Sequence, residues 1–315
     1  MKGGVNFAPP LHFMALLLRG DYWVRKYAHN REGYAFLAPW LLGFILFTAI
    51  PMILSFYFSF TQYDVLTPPK WIGLKNYIDM TKDPRLHKSL QVTFTYVGLG
   101  VPLQIVFALF VAIVLHRDKP GIRFYRGIYY LPSLFGGSVA VAILWRQVFN
   151  KEGLLNQLLA LLGIEGKNWI ALPETALYTL IVLLVWQFGS PMVIFLSGLK
   201  QIPKEYYEAA MIDGAGKTRM LFNITLPMLT PLIFFNLVMG IINAFQAFTP
   251  AYIISGGTGA PVDSTLFYTL YLYIKGFQHF SMGYASALAW VLLAIMSVIT
   301  AIMFFLSRFW VHYEE

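Results

Sequence analysis

The sequence predicts an all-α polytopic membrane protein with six transmembrane helices. Of its 315 residues, 58% are hydrophobic and only 12% are charged, whereas a soluble domain carries about 25% charged residues. The mean hydropathy is +0.62. Six apolar stretches are each long enough to cross a bilayer, which takes about 20 residues. The middle of these stretches contains no Asp, Glu, Lys, Arg or His.

The boundaries of the spans follow from the apolar stretches and the polar segments between them. We predict spans at 34–60, 90–115, 127–149, 176–199, 230–255 and 284–306. Prolines interrupt the first two, at Pro39, Pro51 and Pro102. Spans tolerate proline where neighbouring helices satisfy the freed carbonyl groups.

The third span contains a run of small residues. They are Gly136, Gly137, Ser138 and Ala140. Such residues let two helix backbones approach closely, so we expect a tight helix contact at this point.

The segments outside the spans give further expectations. Residues 1–33 form an N-terminal extension, which is either a basic interfacial helix over 11–27 or a disordered tail. A short helix is predicted at 154–162 and another from Ser264. We expect Tyr268, Tyr271 and Tyr273 to anchor the chain at the membrane interface, and a contact with a partner protein is the alternative.

Lysine and arginine residues indicate the orientation. They are more numerous at the two termini and in the second and fourth loops than in the other loops. Positive residues favour the cytoplasmic side. We therefore predict that both termini and the 200–227 loop are cytoplasmic.

The 200–227 loop has the pattern of a bent helix-turn-helix. Pro203 suits a first helical turn, and Glu205 and Glu208 follow near the positive end of the helix dipole. Gly214 then suits a helix stop, because it tolerates a positive φ. Gly216-Lys217-Thr218 is not a phosphate-binding loop, since Met211 stands where that motif needs its first glycine.

This loop resembles the signature of the permeases of binding-protein-dependent ABC importers. That signature reads E-A-A-x3-G-x9-I-x-L-P, and every fixed position is matched in this sequence. The matching residues are Glu208, Ala209, Ala210, Gly214, Ile224, Leu226 and Pro227. The segments around the loop are most similar to the sugar-transport branch, the maltose-permease type. The resemblance covers nearly all of residues 35–315 and implies the type I importer permease fold in a transmembrane domain over 34–315.

The resemblance implies that the loop is a coupling loop, which inserts into a groove on an ATP-binding subunit. The residues carried over to this docking role are Glu205, Glu208, Ala209, Ala210, Asp213, Gly214, Leu226 and Pro227. The implied partners are a second homologous permease, two ATP-binding subunits and a solute-binding protein. Membrane lipid surrounds the chain, and nothing in its +8 net charge calls for nucleic acid. ATP and Mg²⁺ would be bound by the partner ATPase, with no cofactor or catalytic residue on this chain.

The substrate path is expected along the fourth and fifth spans at mid-membrane depth. The candidates there are Gln187, Gly189, Ser190, Asn243, Gln246, Phe245 and Phe248. Uncharged amides suit sugar hydroxyl groups and aromatic rings can stack on pyranose faces. Interhelical hydrogen bonds and packing are the structural alternative for the same residues.

The implied cargo is a sugar, an oligosaccharide or a uronate-containing one, delivered by the solute-binding protein. An ion-coupled secondary carrier is the alternative function. It is disfavoured because such carriers need charged or histidine side chains inside the membrane. A membrane enzyme would need clustered acids, histidines or an activated nucleophile. The chain has no cysteine, and its six histidines are scattered, which excludes thiolate sites and gives no metal-site pattern.

Overall fold

A computed structural model describes residues 31–116 and 120–312. The predicted N-terminal helix or tail therefore lies outside the described residues. The chain divides into two units, residues 1–55 and 56–315. The first unit carries most of the first span, which runs over Phe36–Ser59.

The described residues form a mostly helical chain. Its α-helices are α1 Arg31–Phe44, α2 Ile50–Ser59, α3 Lys75–Met80, α4 Pro84–Leu115, α5 Ile122–Phe135, α6 Val139–Phe149, α7 Leu154–Leu161, α8 Ala176–Trp186, α9 Gly189–Gln201, α10 Lys204–Ile212, α11 Lys217–Met220, α12 Leu226–Phe245, α13 Thr249–Ser255, α14 Tyr268–Tyr273 and α15 Met282–Ser307. Wider π-helical turns occupy Ile45–Ala49, Leu221–Thr225 and Ile274–Gln278. Two short antiparallel strands, β1 Thr61–Gln62 and β2 Lys70–Trp71, form a hairpin after the first span.

Five helical stretches of the described chain are long and apolar enough to cross a membrane. They are Phe36–Ser59, Pro84–Leu115, Ala176–Gln201, Lys217–Phe245 and Met282–Ser307. The remaining predicted span, the third, is not one straight helix. It consists of α5 and α6, and the chain bends between them at Gly136–Ser138; the angle between Ile122–Phe135 and the segment Val139–Leu161, which continues through α7, is 102°.

The bent pair nevertheless connects opposite ends of its neighbours. At the start of α5, Arg126 donates from Nη2 to the carbonyl oxygen of Leu115, the last residue of α4 (2.6 Å). Near the far end of α6, Trp145 donates from Nε1 to the carbonyl oxygen of Thr179, in the first turn of α8 (2.9 Å). Helices α4 and α8 run parallel, because Gly100 lies against Ile181 and Leu184 while Gln104, one turn later, donates to the carbonyl oxygens of Leu184 and Gln187. The end of α4 and the start of α8, and with them these two contacts, therefore lie at opposite ends of the bundle. We count the pair as one broken span, which gives six.

The prediction of a continuous third span at 127–149 was therefore wrong. Its small residues do not mark a helix contact within a straight helix. They lie at the break, where Gly136 ends α5 and Ser138 caps α6 by accepting a hydrogen bond from the backbone N–H of Val141. A serine in extended conformation at an N-cap starts a new helix direction.

The fifth predicted span is displaced toward its N-terminus. It was expected at 230–255 but runs continuously over Lys217–Phe245. The chain breaks at Gln246 and continues as the separate helix α13, which packs on α6. Pro250 at the start of α13 suits the first helical turn.

Helix α4 is the centre of the second unit, where it packs against α8, α9 and α12. Val101, Ala108 and Ala112 in α4 are completely buried. Two glycines allow the close approach. A Cβ on Gly100 would lie 2.7 Å from a methyl carbon of Leu184, and one on Gly240 would lie 2.9 Å from a methyl carbon of Val101. Small residues at such crossings are typical of membrane helices.

The segment before the last span corrects two predictions. Its helix begins at Tyr268 rather than Ser264. Tyr268 and Tyr271 are buried in the core instead of anchoring at an interface, and Tyr273 is half-buried. The hydroxyl of Tyr268 donates to the carbonyl oxygen of Leu288 in α15 (2.8 Å). A buried phenol requires such a partner, so these tyrosines act as packing residues.

Candidate functional site

Two helix breaks meet in the bundle and are joined by polar side chains. The break between α8 and α9 exposes the carbonyl oxygen of Gln187. This oxygen accepts from Nε2 of Gln104 on α4 (3.0 Å) and from Oγ of Ser133 on α5 (2.9 Å). In return, Nε2 of Gln187 donates to the carbonyl oxygen of Gly136 at the α5–α6 break (2.8 Å). We call Gln104, Ser133 and Gln187 the polar clasp.

The polar clasp satisfies backbone groups that the breaks leave without helical partners. Gln104 also donates from Nε2 to the carbonyl oxygen of Leu184 (2.9 Å), and Oγ of Ser133 accepts from the backbone N–H of Ser190 (3.0 Å). Lipid offers no hydrogen-bond partners, so broken spans persist only where protein supplies them. The clasp therefore fixes how α8 meets α9.

Gly189 begins α9 at a tight point of this junction. A Cβ there would lie 2.6 Å from the carbonyl oxygen of Tyr129 and 2.8 Å from Oγ of Ser133. At Gly136, a Cβ would lie 2.4 Å from Oε1 of Gln187. Both positions need glycine for close approach rather than for an unusual φ.

The five predicted pathway residues that are not aromatic fall into two groups in the structure. Ser190, Asn243 and Gln246 are exposed. The side chain of Gln187 is committed to the clasp, and Gly189 is buried beneath it.

The two predicted aromatic residues lie in packed surroundings. Phe245 is buried edge-on against Phe94, with ring centroids 5.3 Å apart. Phe248 is half-buried and packs between Tyr252 and Tyr273, at centroid distances of 5.3 and 5.2 Å. In this conformation the accessible polar side chains are therefore those of Ser190, Asn243 and Gln246. The ring of Phe245 is not accessible.

An apolar cleft of about 880 Å³ lies beside the clasp, within the bend of the third span. Its walls include Phe107, Tyr129, Trp145, Trp186 and Phe188. The indole rings of Trp145 and Trp186 lie 5.5 Å apart. This cleft shows that the bend opens space between helices rather than closing it.

The 200–227 loop forms the predicted bent helix pair. Pro203 is the N-cap, one position earlier than expected, and α10 follows directly. Gly214 has φ +74°, and the backbone N–H of Ala215 donates to the carbonyl oxygen of Ala210 (2.8 Å). This left-handed cap ends α10 and turns the chain into α11.

One side of α10 is attached to the protein and the other is exposed. Tyr207 shares a hydrogen bond with the hydroxyl of Thr225, just before α12 (2.9 Å). The predicted docking residues Glu205, Glu208, Ala209, Asp213 and Gly214 are exposed, while Ala210, Leu226 and Pro227 are half-buried.

Three large apolar side chains accompany these docking residues. Tyr206, Met211 and Ile212 are 51%, 57% and 88% exposed. An apolar surface with carboxylates at its edge is typical of a protein contact. The loop thus offers a protruding surface that is connected to the base of α12.

A charged cluster lies at the start of α4, and sequence reasoning missed it. Asp83 caps α4, with Oδ1 accepting from the backbone N–H groups of Arg85 and Leu86. Its Oδ2 accepts from the hydroxyls of Tyr271 and Tyr284. Partial burial alone would raise the pKa of Asp83, but these hydrogen bonds and the nearby Lys275 ammonium outweigh it and lower the pKa.

A second ion pair extends this cluster. The guanidinium of Arg85 donates to both carboxylate oxygens of Asp263, at 2.9 Å from Nε and 2.6 Å from Nη2. The cluster joins residues almost two hundred positions apart in the chain. An aspartate followed by a proline before an apolar stretch is typical of a helix N-terminus, so the capping role of Asp83 could have been predicted. Its tyrosine partners lie far along the chain and cannot be predicted from the local sequence.

The chain matches the family described as binding-protein-dependent transport system inner membrane component, over residues 83–311. The probable ABC transporter permease protein YesP of Bacillus subtilis is 56% identical over 91% of this chain and 93% of that protein.

Two relatives with named cargo are also similar. The arabinooligosaccharides transport system permease protein AraP of Bacillus subtilis is 31% identical, over 89% of this chain and 90% of that protein. The lactose transport system permease protein LacF of Rhizobium radiobacter is 30% identical, over 90% and 96%.

The fold also has a solved counterpart. It is a chain of the bacterial alginate ABC transporter in complex with an alginate pentasaccharide-bound periplasmic protein. The two chains are similar with a TM-score of 0.78 and 22% identity, over 90% of this chain and 96% of that one. This likeness concerns the fold.

Proposed function

The chain belongs to the family of binding-protein-dependent transport system inner-membrane components, and from this premise we propose that it imports a sugar, as one of two permease subunits. It is an integral inner-membrane protein and a non-enzymatic ABC transporter permease. This family membership argues against the alternative function, an ion-coupled secondary carrier. The two relatives named for lactose and arabinooligosaccharide transport support a sugar as cargo, and we propose an oligosaccharide.

The proposed assembly contains a second homologous permease, two ATP-binding subunits and a solute-binding protein that delivers the sugar. ATP and Mg²⁺ belong to the ATP-binding subunits. In the proposed orientation, both termini and the coupling loop are cytoplasmic.

The observation that carries the proposed mechanism is the exposed coupling loop with its attachment to α12. ATP binding would bring the ATPases together and move the docked α10. The Tyr207–Thr225 hydrogen bond ties α10 to the base of α12, which carries Asn243 and is followed directly by Gln246. Movement of the loop would thereby shift the proposed sugar path between inward- and outward-open states.

The proposed path consists of the exposed Ser190, Asn243 and Gln246, held in place by the polar clasp. Amide and hydroxyl groups can both donate to and accept from sugar hydroxyls. Gln187 and Gly189 would shape this path through the backbone of the break, and Phe248 would border it. Phe245 would reach the sugar only if the packing against Phe94 opened.

The test is co-purification and sugar uptake with Glu208→Lys and Gly214→Asp. We expect both variants to insert into the membrane at wild-type levels, to lose the ATPase on purification and to lose uptake. Glu174→Lys is the matched control, because Glu174 is exposed and precedes the span Ala176–Gln201, whose opposite end leads into the coupling loop.

Wild-type uptake by both coupling-loop variants would contradict the docking role. If the wild-type complex instead couples ATP hydrolysis to a cargo other than a sugar, the substrate proposal fails while the docking proposal stands. A binding screen of the associated solute-binding protein identifies that cargo.

A further inference from the structure

Helix α7 presents an apolar surface that no described residue covers. Leu154, Leu158, Leu161 and Leu162 are 60%, 57%, 82% and 75% exposed. Their spacing of four, three and one residues places them on one face of the helix. We call these four residues the leucine face.

The leucine face is held rigidly from behind. Asn156 lies on the opposite side of α7 and is buried. Its Nδ2 donates to the carbonyl oxygens of Lys167 (2.7 Å) and Lys151 (3.0 Å), and its Oδ1 accepts from Nε1 of Trp169 (2.7 Å). Gly166 is required here, since a Cβ would lie 2.3 Å from Cγ of Asn156.

The end of α7 is equally well defined. Gly163 has φ +73°, and the backbone N–H of Ile164 donates to the carbonyl oxygen of Leu159 (3.0 Å). This is a left-handed helix cap. The hydrogen bonds of Asn156 and of this cap fix the orientation of α7. The leucine face therefore points outward in a well-defined direction.

The chemistry of the leucine face favours lipid over protein. It consists of leucines alone, whereas protein interfaces are enriched in aromatic residues, methionine and arginine. Sequence Leu154–Leu161 contains no charged residue. The flanking Lys151, Glu152, Glu165 and Lys167 balance one another in charge, which gives no electrostatic attraction to a partner of either sign.

The leucine face also follows an exposed apolar surface of the broken third span. In α6, Ile143 and Leu144 are 49% and 64% exposed. Helix α6 belongs to the broken third span, and α7 begins only a few residues after its end. We propose that α7 is an interfacial helix, with its leucine face inserted at the boundary between headgroups and acyl chains of the leaflet at that end of the bundle.

Site-directed spin labelling tests this proposal directly, because the chain has no native cysteine. Leu158→Cys and Leu162→Cys place a nitroxide on the leucine face. Ala160→Cys is the matched control, since Ala160 is exposed on α7 but points away from the leucines. The transporter is reconstituted in phosphatidylcholine nanodiscs, and nitroxide collision is measured with oxygen and with a water-soluble nickel chelate.

We expect labels at 158 and 162 to collide more with oxygen than with nickel, and the label at 160 to show the reverse ratio. Replacing part of the lipid by phosphatidylglycerol should leave the ratios unchanged, as should adding the solute-binding protein. Nickel accessibility at 158 and 162 would overturn the proposal. So would immobilisation only when the solute-binding protein is added, or exclusion of both colliders, which would indicate a protein contact instead.

Two label positions protect the test from a single variant that fails to assemble. The readout does not depend on cargo or ATP hydrolysis. Failure of this proposal is therefore distinguishable from failure of the proposed transport function.

Discussion

Gln104→Leu removes the donor through which α4 holds the break between α8 and α9. The change keeps a side chain of similar size but deletes the hydrogen bonds to the carbonyl oxygens of Leu184 and Gln187. Interhelical hydrogen bonds in membranes contribute about 0.6–2 kcal/mol each. We therefore expect a loss of about 1–3 kcal/mol in the free energy of unfolding.

The matched control is Gln91→Leu, which makes the same substitution on the same helix at an exposed position. We expect it to cost less than about 0.5 kcal/mol. The assay is thermal denaturation of the purified chain in detergent, where about 1 kcal/mol corresponds to roughly 2 °C for a chain of this size. Equal melting temperatures for the two variants would refute the role of Gln104 in holding the break.

A double-mutant cycle sharpens this prediction. With Gln104→Leu alone, the carbonyl oxygen of Gln187 still accepts from Ser133, and with Ser133→Ala alone it still accepts from Gln104. Only the double variant leaves this oxygen without either donor. An unsatisfied buried polar group costs about 1–3 kcal/mol, so the double variant should lose more than the sum of the singles. Simple additivity would show that the two donors act independently.

Three further outcomes follow from the structure. Asp83→Asn should lower stability by about 1–3 kcal/mol near neutral pH. Because the pKa of Asp83 is lowered on folding, its contribution is present above its unfolded pKa and is lost as the pH falls through the folded value. The difference in melting temperature between Asp83→Asn and wild type should therefore shrink below about pH 4, and a constant difference would contradict it. Gly189→Ala should reduce uptake and stability through its clash with the Tyr129 carbonyl, whereas Gly137→Ala meets open space and should resemble wild type in the same assays. Gly214→Val should impair ATPase co-purification because φ is +74° there, while Gly216→Val, at φ −74°, should not.

The sequence was sufficient where local chemistry determines structure. The bent coupling loop follows from Pro203, the glutamates and Gly214, each of which acts within a few residues. Helix α7 also lies close to its predicted bounds. Span number follows from hydropathy, since a bilayer requires a fixed length of apolar chain.

The features that the sequence did not predict depend on distant partners. Hydropathy is the same for a straight span and a broken one, so the bend at Gly136–Ser138 leaves no signal in it. The break is stable because Gln187 supplies a donor to Gly136. Likewise, tyrosine is the residue type typical of an interfacial anchor. Tyr271 is nevertheless buried in the core, where its hydroxyl donates a hydrogen bond to Asp83.

The π-helical turn at Leu221–Thr225 has a consequence for how the coupling loop and α12 are aligned. Such a turn carries one residue more than an α-helical turn, and each α-helical residue advances the side chains by about 100° around the axis. The extra residue thus rotates every later side chain of the same helix by about 100° around the helix axis. Deleting one residue from this turn would rotate Asn243 away from its present side and would also shift Thr225 relative to Tyr207 of α10, so the direction in which the amides point is encoded some twenty residues before them.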